Sequence, residues 1–274
     1  MYYVKTKREK SGKCNLCTRD ADLSWDHVPP KGGIELTPVE METVFQVFSG
    51  DPKKRKLSES QNGVKFRSIC QECNSLLGHT YDPIINEFAI SVGRYINSGL
   101  QFPQVVSHKT RPAALMRGIL GHLIAAKADF EEVLFDVQVR DFFFDTTLPI
   151  PEQIHIFYWL YPYSQIVVMR DFVMPAVRGN FNDMGFFQVL KYFPVAFLIT
   201  DKKSYGGLLE LTQYRNLSLT DEVEIPIQLD RIEHPYWPEM VDEGNILVGG
   251  KSLQSSISAR PRVRESGQKM RLLK

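Results

Sequence analysis

Cys14-Asn15-Leu16-Cys17 and Cys70-Gln71-Glu72-Cys73-Asn74-Ser75-Leu76-Leu77-Gly78 are the two stretches that decide how this chain is read. Each begins with a Cys-x-x-Cys knuckle, and these four cysteines are the only ones in 274 residues. One such knuckle can place two thiolates about 2.3 Å from a shared ion, and two knuckles close a tetrahedral shell. With no cysteine left over, the pattern favours thiolate ligation of Zn²⁺ over disulfides. Four thiolates leave no open position, so this zinc is expected to be structural. The segment around it is rich in turn signals, from Ser11-Gly12 through Pro29-Pro30, Gly32-Gly33 and Asn62-Gly63, and polar enough that a metal staple would contribute directly to its folding.

The chemistry is expected between and beside the knuckles. Asp26-His27 lies between them and Asn74 follows the last cysteine. Hydrolysis of a phosphodiester needs a base to activate water and a divalent cation to stabilise charge on the phosphate and the leaving oxygen. Imidazole titrates in the range suited to the base, which points to His27. Asp26 offers an anionic oxygen and Asn74 a neutral one, a donor set suited to Mg²⁺ or Mn²⁺ with few protein ligands. Trp25 reads as packing behind this site.

At these residues the sequence resembles the HNH, or ββα-metal, endonucleases, and within them the version found in phage recombination endonuclease VII. Cys70-Gln-Glu-Cys-Asn-Ser-Leu-Leu-Gly78 is close to that group's Cys-x-x-Cys-Asn-x-x-Leu-Gly. Asp26-His27-Val28-Pro29-Pro30-Lys31 is similar to the Asp-His-x-x-Pro segment of bacterial HNH proteins. The resemblance covers about residues 12–82. It implies a DNA endonuclease in which His27 is the general base, Asp26 and Asn74 hold a catalytic metal, and the four cysteines hold structural zinc. Proteins of this kind joined to an unfamiliar domain resemble mobile-element or anti-phage defence nucleases. Many HNH proteins carry a residue upstream of the second knuckle that orients the base; the nearest one here is Asn62, which with Gly63 is also a turn signal. His79 would join the metal site if the helix after Cys73 ended at Gly78, and otherwise reads as a helix-end surface residue. The competing class is a zinc-dependent module that binds nucleic acid or protein without cleaving it.

Composition excludes little. Hydrophobic content of 43%, charged content of 24% and a formal net charge of +1 describe an ordinary globular chain with no global basic field. Positive charge is local: Lys5 to Lys13, the run Lys53-Lys54-Arg55-Lys56, and the residues after Lys251. The run between the knuckles is a candidate phosphate contact that would give affinity without sequence information. Met-Tyr-Tyr-Val-Lys has no apolar core like that of a signal peptide, and no run approaches the ~20 apolar residues of a membrane span. A cytoplasmic protein with no membrane partner is expected.

The expected organisation has three parts. Residues 1–82 form the zinc-stapled HNH unit, in which Val39 to Phe48 reads as an amphipathic helix and Val64 to Ile69 as a strand. Residues 83–250 form an α+β domain that recognises, regulates or oligomerises, giving a protein partner or a second copy of the chain a place to bind. In it, Ile84 to Ile96 and Arg111 to Phe130 predict two helices. Gln153–Tyr161, Ser164–Val173, Phe186–Thr200, Leu208–Tyr214 and Glu222–Leu229 are rich in β-branched and aromatic residues and predict a mainly antiparallel sheet. His122, among Leu120, Leu123 and Ile124, reads as a packed or hydrogen-bonded histidine, and Phe142-Phe143-Phe144 as sheet core or partner surface. Residues 251–274 predict a basic flexible tail.

Overall fold

Residues 3–49, 56–175, 184–230, 232, 234–239 and 248–262 are described by the computed structural model. The chain opens with β1 (Ser11–Lys13) and β2 (Asp20–His27), paired antiparallel across the first knuckle. β3 (Val39–Thr43), α1 (Val44–Ser49) and β4 (Ser58–Ser60) follow, and β5 (Lys65–Cys70) then returns to lie antiparallel to β2. α2 (Gln71–Leu76) starts at the second knuckle and passes through one π turn (Leu77–Tyr81) into α3 (Asp82–Asn97). Strand, strand and helix are thus joined at Cys70, with Asp26 opposite Phe66 and His27 opposite Lys65.

The rest of the chain supplies β6 (Val105–Thr110), α4 (Pro112–Ala125), α5 (Leu134–Phe144), β7 (His155–Leu160), β8 (Ile166–Pro175) and β9 (Met184–Tyr192). β10 (Val195–Thr200), β11 (Leu209–Glu210), β12 (Val223–Gln228), β13 (Val248–Gly249) and β14 (Ile257–Pro261) complete it. A nine-stranded sheet runs in the order β11-β7-β10-β9-β8-β14-β3-β4, with β13 paired to β8; β12 and β6 pair separately. The strand ladders are antiparallel, so the fold is α+β with mainly antiparallel sheets.

Period-2 alternation divides the sheet's two faces. Ile156, Tyr158, Val168, Leu190 and Phe197 face one core, shared with α3, α4 and the cysteine knuckles. Phe157, Trp159, Val167, Val189 and Leu198 face the other, which Val44, Tyr205 and Trp237 cover. α4 is buried along all of its length. A helix apolar on every side belongs in the middle of a core, and this one lies between the sheet and the β2–β5 unit.

Four expectations are corrected. Val39 to Phe48 is not one helix: Val39–Thr43 is a strand because β14 and β4 pair with its two edges, and only the residues from Val44 are helical. The boundary at 82/83 falls inside the helical run from α2 to α3, and β3 and β4 extend the large sheet, so one core joins Cys14 and Phe66 to Ile156 and Phe197. The end of the chain is not a flexible tail as far as residue 261. Ile257–Pro261 is an inner strand between β8 and β3, and the Ser255 hydroxyl accepts from the Ala128 amide; residues 263–274 lie outside the described residues. Phe142-Phe143-Phe144 ends helix α5, where Phe142 and Phe143 are buried and Phe144 is exposed. No helix among the described residues is long and apolar enough to cross a membrane.

Candidate metal centre and hydrolytic site

The knuckles converge. The sulfurs of Cys14, Cys17, Cys70 and Cys73 all lie within 4.8 Å of one another. Cys17 Sγ and Cys70 Sγ are 3.8 Å apart, close to the edge of about 3.8 Å that a tetrahedron with ~2.3 Å zinc–sulfur bonds requires. Backbone amides of Cys17 and Cys70 point at Cys14 Sγ from 3.5 and 3.2 Å. A hydrogen bond from Cys73, opposed by burial and reinforced by those amides and that of Leu16, pushes the Cys14 thiol down to about 4. Amide donors favour the thiolate, which is the form that binds metal. The donor set and its spacing can hold a metal such as zinc.

The cysteine cluster lies at the start of α2, and Asn74 is one residue beyond Cys73. The Asn74 side-chain amide donates to Ser24 Oγ at 3.0 Å and to the Trp25 carbonyl at 2.9 Å. Both bonds use Nδ2, so the amide oxygen is the atom left for a ligand. On the neighbouring strand position Asp26 is 4% exposed, and its Oδ2 is engaged while Oδ1 has no hydrogen bond among the described residues.

His27 ends β2 and is half-buried. The Asn62 main chain lies close enough to the ring to favour its protonation, and Nε2 is buried with no hydrogen-bond partner among the described residues. Burial holds the ring below the ordinary imidazole value; Lys31 adds to this, Asp26 opposes it, and Lys65 lowers it further. The ring is thus neutral under ordinary conditions. Asn62 thus bears on the ring through its main chain and not through its side chain.

Asp26 is held from the far side of the fold. His122 on α4 is 0% exposed, with Nδ1 2.9 Å from Asp26 Oδ2 and Nε2 2.8 Å from Asp82 Oδ1. Carboxylates only accept, so both ring nitrogens carry hydrogens and the ring is a cation. Burial opposes that charge, but Asp26 and Asp82 override it and raise the ring to about 10. The hydrogen-bonded reading of His122 holds, whereas its link to Asp26 was invisible: the two are 96 residues apart. Asp82 was missed altogether, because nothing in the sequence marks the π turn that precedes it.

Other expected residues lie elsewhere. The helix does not end at Gly78; the chain continues through the π turn, and His79 is exposed on it, outside the cysteine cluster that is the one metal-ligating group found among the described residues. Lys53, Lys54 and Arg55 lie outside the described residues, and Lys56 is exposed. Trp25 does not pack behind the site. It is 38% exposed, with Lys65 Nζ 5.2 Å and Arg67 Cζ 5.5 Å from its ring centroid. Directly opposite residues of an antiparallel pair share a face, so Trp25 and Arg67 lie on the same side of the strands as His27 and Lys65.

No family model matches this sequence, and neither the curated proteins nor the solved structures contain a match.

Proposed function

We propose that the chain is an HNH-like, zinc-stapled ββα-metal endonuclease that hydrolyses phosphodiester bonds in DNA with a divalent cation, Mg²⁺ or Mn²⁺. The observation that carries this reading is His27, whose Nε2 is buried without a hydrogen-bond partner among the described residues. It is next in the chain to Asp26 and on the strand to which Asn74 is bonded, with Asp26 Oδ1 and Asn74 Oδ1 engaged by no hydrogen bond among the described residues. A buried polar atom without a partner costs about 1–3 kcal/mol, and a catalytic role is one explanation for such an atom.

In this reading Asp26 and Asn74 would hold the cation, which when bound stabilises charge on the phosphate and the leaving oxygen. His27 Nε2 takes a proton from the attacking water, and the nearby Asn62 main chain, which favours the protonated ring, eases the imidazolium as it forms. Lys65 and Arg67, on the same face as His27, supply positive charge for the phosphates on either side. Cys14, Cys17, Cys70 and Cys73 stay out of the reaction and hold α2 against β2.

The test is cleavage of supercoiled plasmid, linear duplex, single-stranded DNA and RNA by purified protein in EDTA, Mg²⁺ and Mn²⁺. Metal-dependent nicking is expected. Binding without cleavage under every cation would favour the non-catalytic module, for which the exposed Trp25 and the partly exposed Lys65 and Arg67 are equally suited.

A further inference from the structure

His122 and Asp82 form an ionic chain that folding alone does not call for. The ring sits within a helix that is buried on every side, and it reaches two carboxylates from different segments, one on β2 and one at the start of α3. Removing a charge from water is costly, and well-packed apolar residues in place of a buried ion triad are often neutral or stabilising. A device of this cost points to a task.

We propose that His122 and Asp82 are positioning residues for Asp26: they pin Oδ2 of its carboxylate through two consecutive hydrogen bonds, so that Oδ1 is presented to a divalent cation. This inference rests on the hydrolytic reading of the site. A carboxylate turns about a broad, roughly two-fold torsion, so without an anchor neither oxygen is committed. One oxygen bonded to a buried donor removes that freedom. His122 cannot itself ligate metal, because both of its nitrogens already face carboxylates at 2.9 and 2.8 Å. Asp82 does for His122 what His122 does for Asp26, since its bond to Nε2 sets the plane of the ring.

The π turn puts Asp82 in place. Eight residues separate Asn74 from Asp82, which in an unbroken α-helix would leave them about 80° apart around the axis. An i→i+5 turn takes up one extra residue. The interval then matches seven α-helical residues, about two turns, and Asp82 comes back near the face that carries Asn74. Leu77–Tyr81 is that turn. The chain Asp82–His122–Asp26 thereby ties α3 and α4 to the hydrolytic site, and elements outside the resemblance at residues 12–82 become part of its geometry.

The test compares zinc-loaded wild type, His122→Gln, Asp82→Ala and Asp82→Asn in Mn²⁺ affinity, in the Mn²⁺ needed for half-maximal cleavage, and in rate at saturating Mn²⁺. Outer partners of metal ligands typically contribute 10–100-fold in metal affinity. His122→Gln and Asp82→Ala are each expected to weaken Mn²⁺ binding and raise the half-activating concentration by about tenfold or more, with most of the rate recovered at saturation. Asp82→Asn keeps an oxygen for Nε2 and is expected to lie close to wild type. Unchanged Mn²⁺ dependence in His122→Gln overturns the assignment, as does a rate loss that no Mn²⁺ concentration repairs. If His122→Gln loses its zinc or fails to fold, Asp82→Ala, altered at the partly exposed end of the chain, decides by the same criteria. Wild type that neither binds Mn²⁺ nor cleaves removes the hydrolytic reading and this one together; wild type that cleaves beside an unaffected variant removes only this one.

Discussion

Replacing Asn74 by alanine separates stability from chemistry at this site. The substitution deletes two hydrogen bonds from Nδ2, at 3.0 Å to Ser24 Oγ and 2.9 Å to the Trp25 carbonyl, that join α2 to β2. Each bond contributes about 0.5–1.5 kcal/mol net, so the loss is about 1–3 kcal/mol. Ser24 keeps its own bond to the Ile69 carbonyl at 3.1 Å, and the partly exposed Trp25 can turn its carbonyl to water. Both facts favour the lower half of that range. For a domain of 150–250 residues 1 kcal/mol moves Tm by roughly 2–4 °C, which gives a shift of about 2–12 °C by differential scanning fluorimetry. Folded proteins are typically stable by about 5–15 kcal/mol, so the variant stays folded at 25 °C. Metal-dependent cleavage should nevertheless fall by far more than the unfolded fraction accounts for, because the neutral oxygen for the cation has gone. Asn74→Asp keeps an oxygen there but sets an acceptor against the Trp25 carbonyl, and is expected to lose stability while retaining metal binding. Wild-type cleavage by Asn74→Ala at unchanged Mg²⁺ would refute the assigned role, and a Tm shift well beyond 12 °C would refute the count of two bonds.

Stripping zinc with a strong chelator is expected to abolish cleavage and lower Tm, and re-adding Zn²⁺ but not Mg²⁺ should restore both; full activity in zinc-free protein would contradict a structural staple. The acid limb of the rate profile should lie below pH 6.5, because the base is active as neutral imidazole and burial with Lys31 and Lys65 depresses its proton affinity. A limb centred at or above 6.5 would mean that another group is the base. Lys65→Gln, made in a cleavage-dead background, should weaken DNA binding and reduce the slope of log affinity against log salt by about 0.9, the signature of one lost phosphate contact. An unchanged slope in fluorescence anisotropy would place DNA elsewhere.

The scaffold of the site was legible because its signals are local. Knuckle spacing alone brought four sulfurs into one cluster, and Asn74 could be placed because it is next to a ligand. The missing parts are those set by tertiary structure. Asn62 bears on the His27 ring through its main chain, which no side-chain pattern encodes. His122 meets Asp26, and Asp82 meets His122, only because α4 passes beneath β2 and a π turn resets the register of α3. Trp25 was expected to pack behind the site, yet Lys65 and Arg67 on the adjacent strand give its ring cations to lie against at the surface. The same distinction holds for the fold. β7 to β10 announced themselves by β-branched and aromatic runs, broken at Pro194 into a hairpin. β3 and β14 are polar enough to read as helix and tail, and are strands because each supplies the other's edge.

The most direct measurement is the single-turnover rate of plasmid cleavage by wild type and His27→Ala at equal zinc content in saturating Mg²⁺ or Mn²⁺. Loss of a general base costs about 10²–10⁴-fold. Cleavage by wild type with a drop of that size in His27→Ala is the expected result, and equal rates for the two proteins would contradict the account.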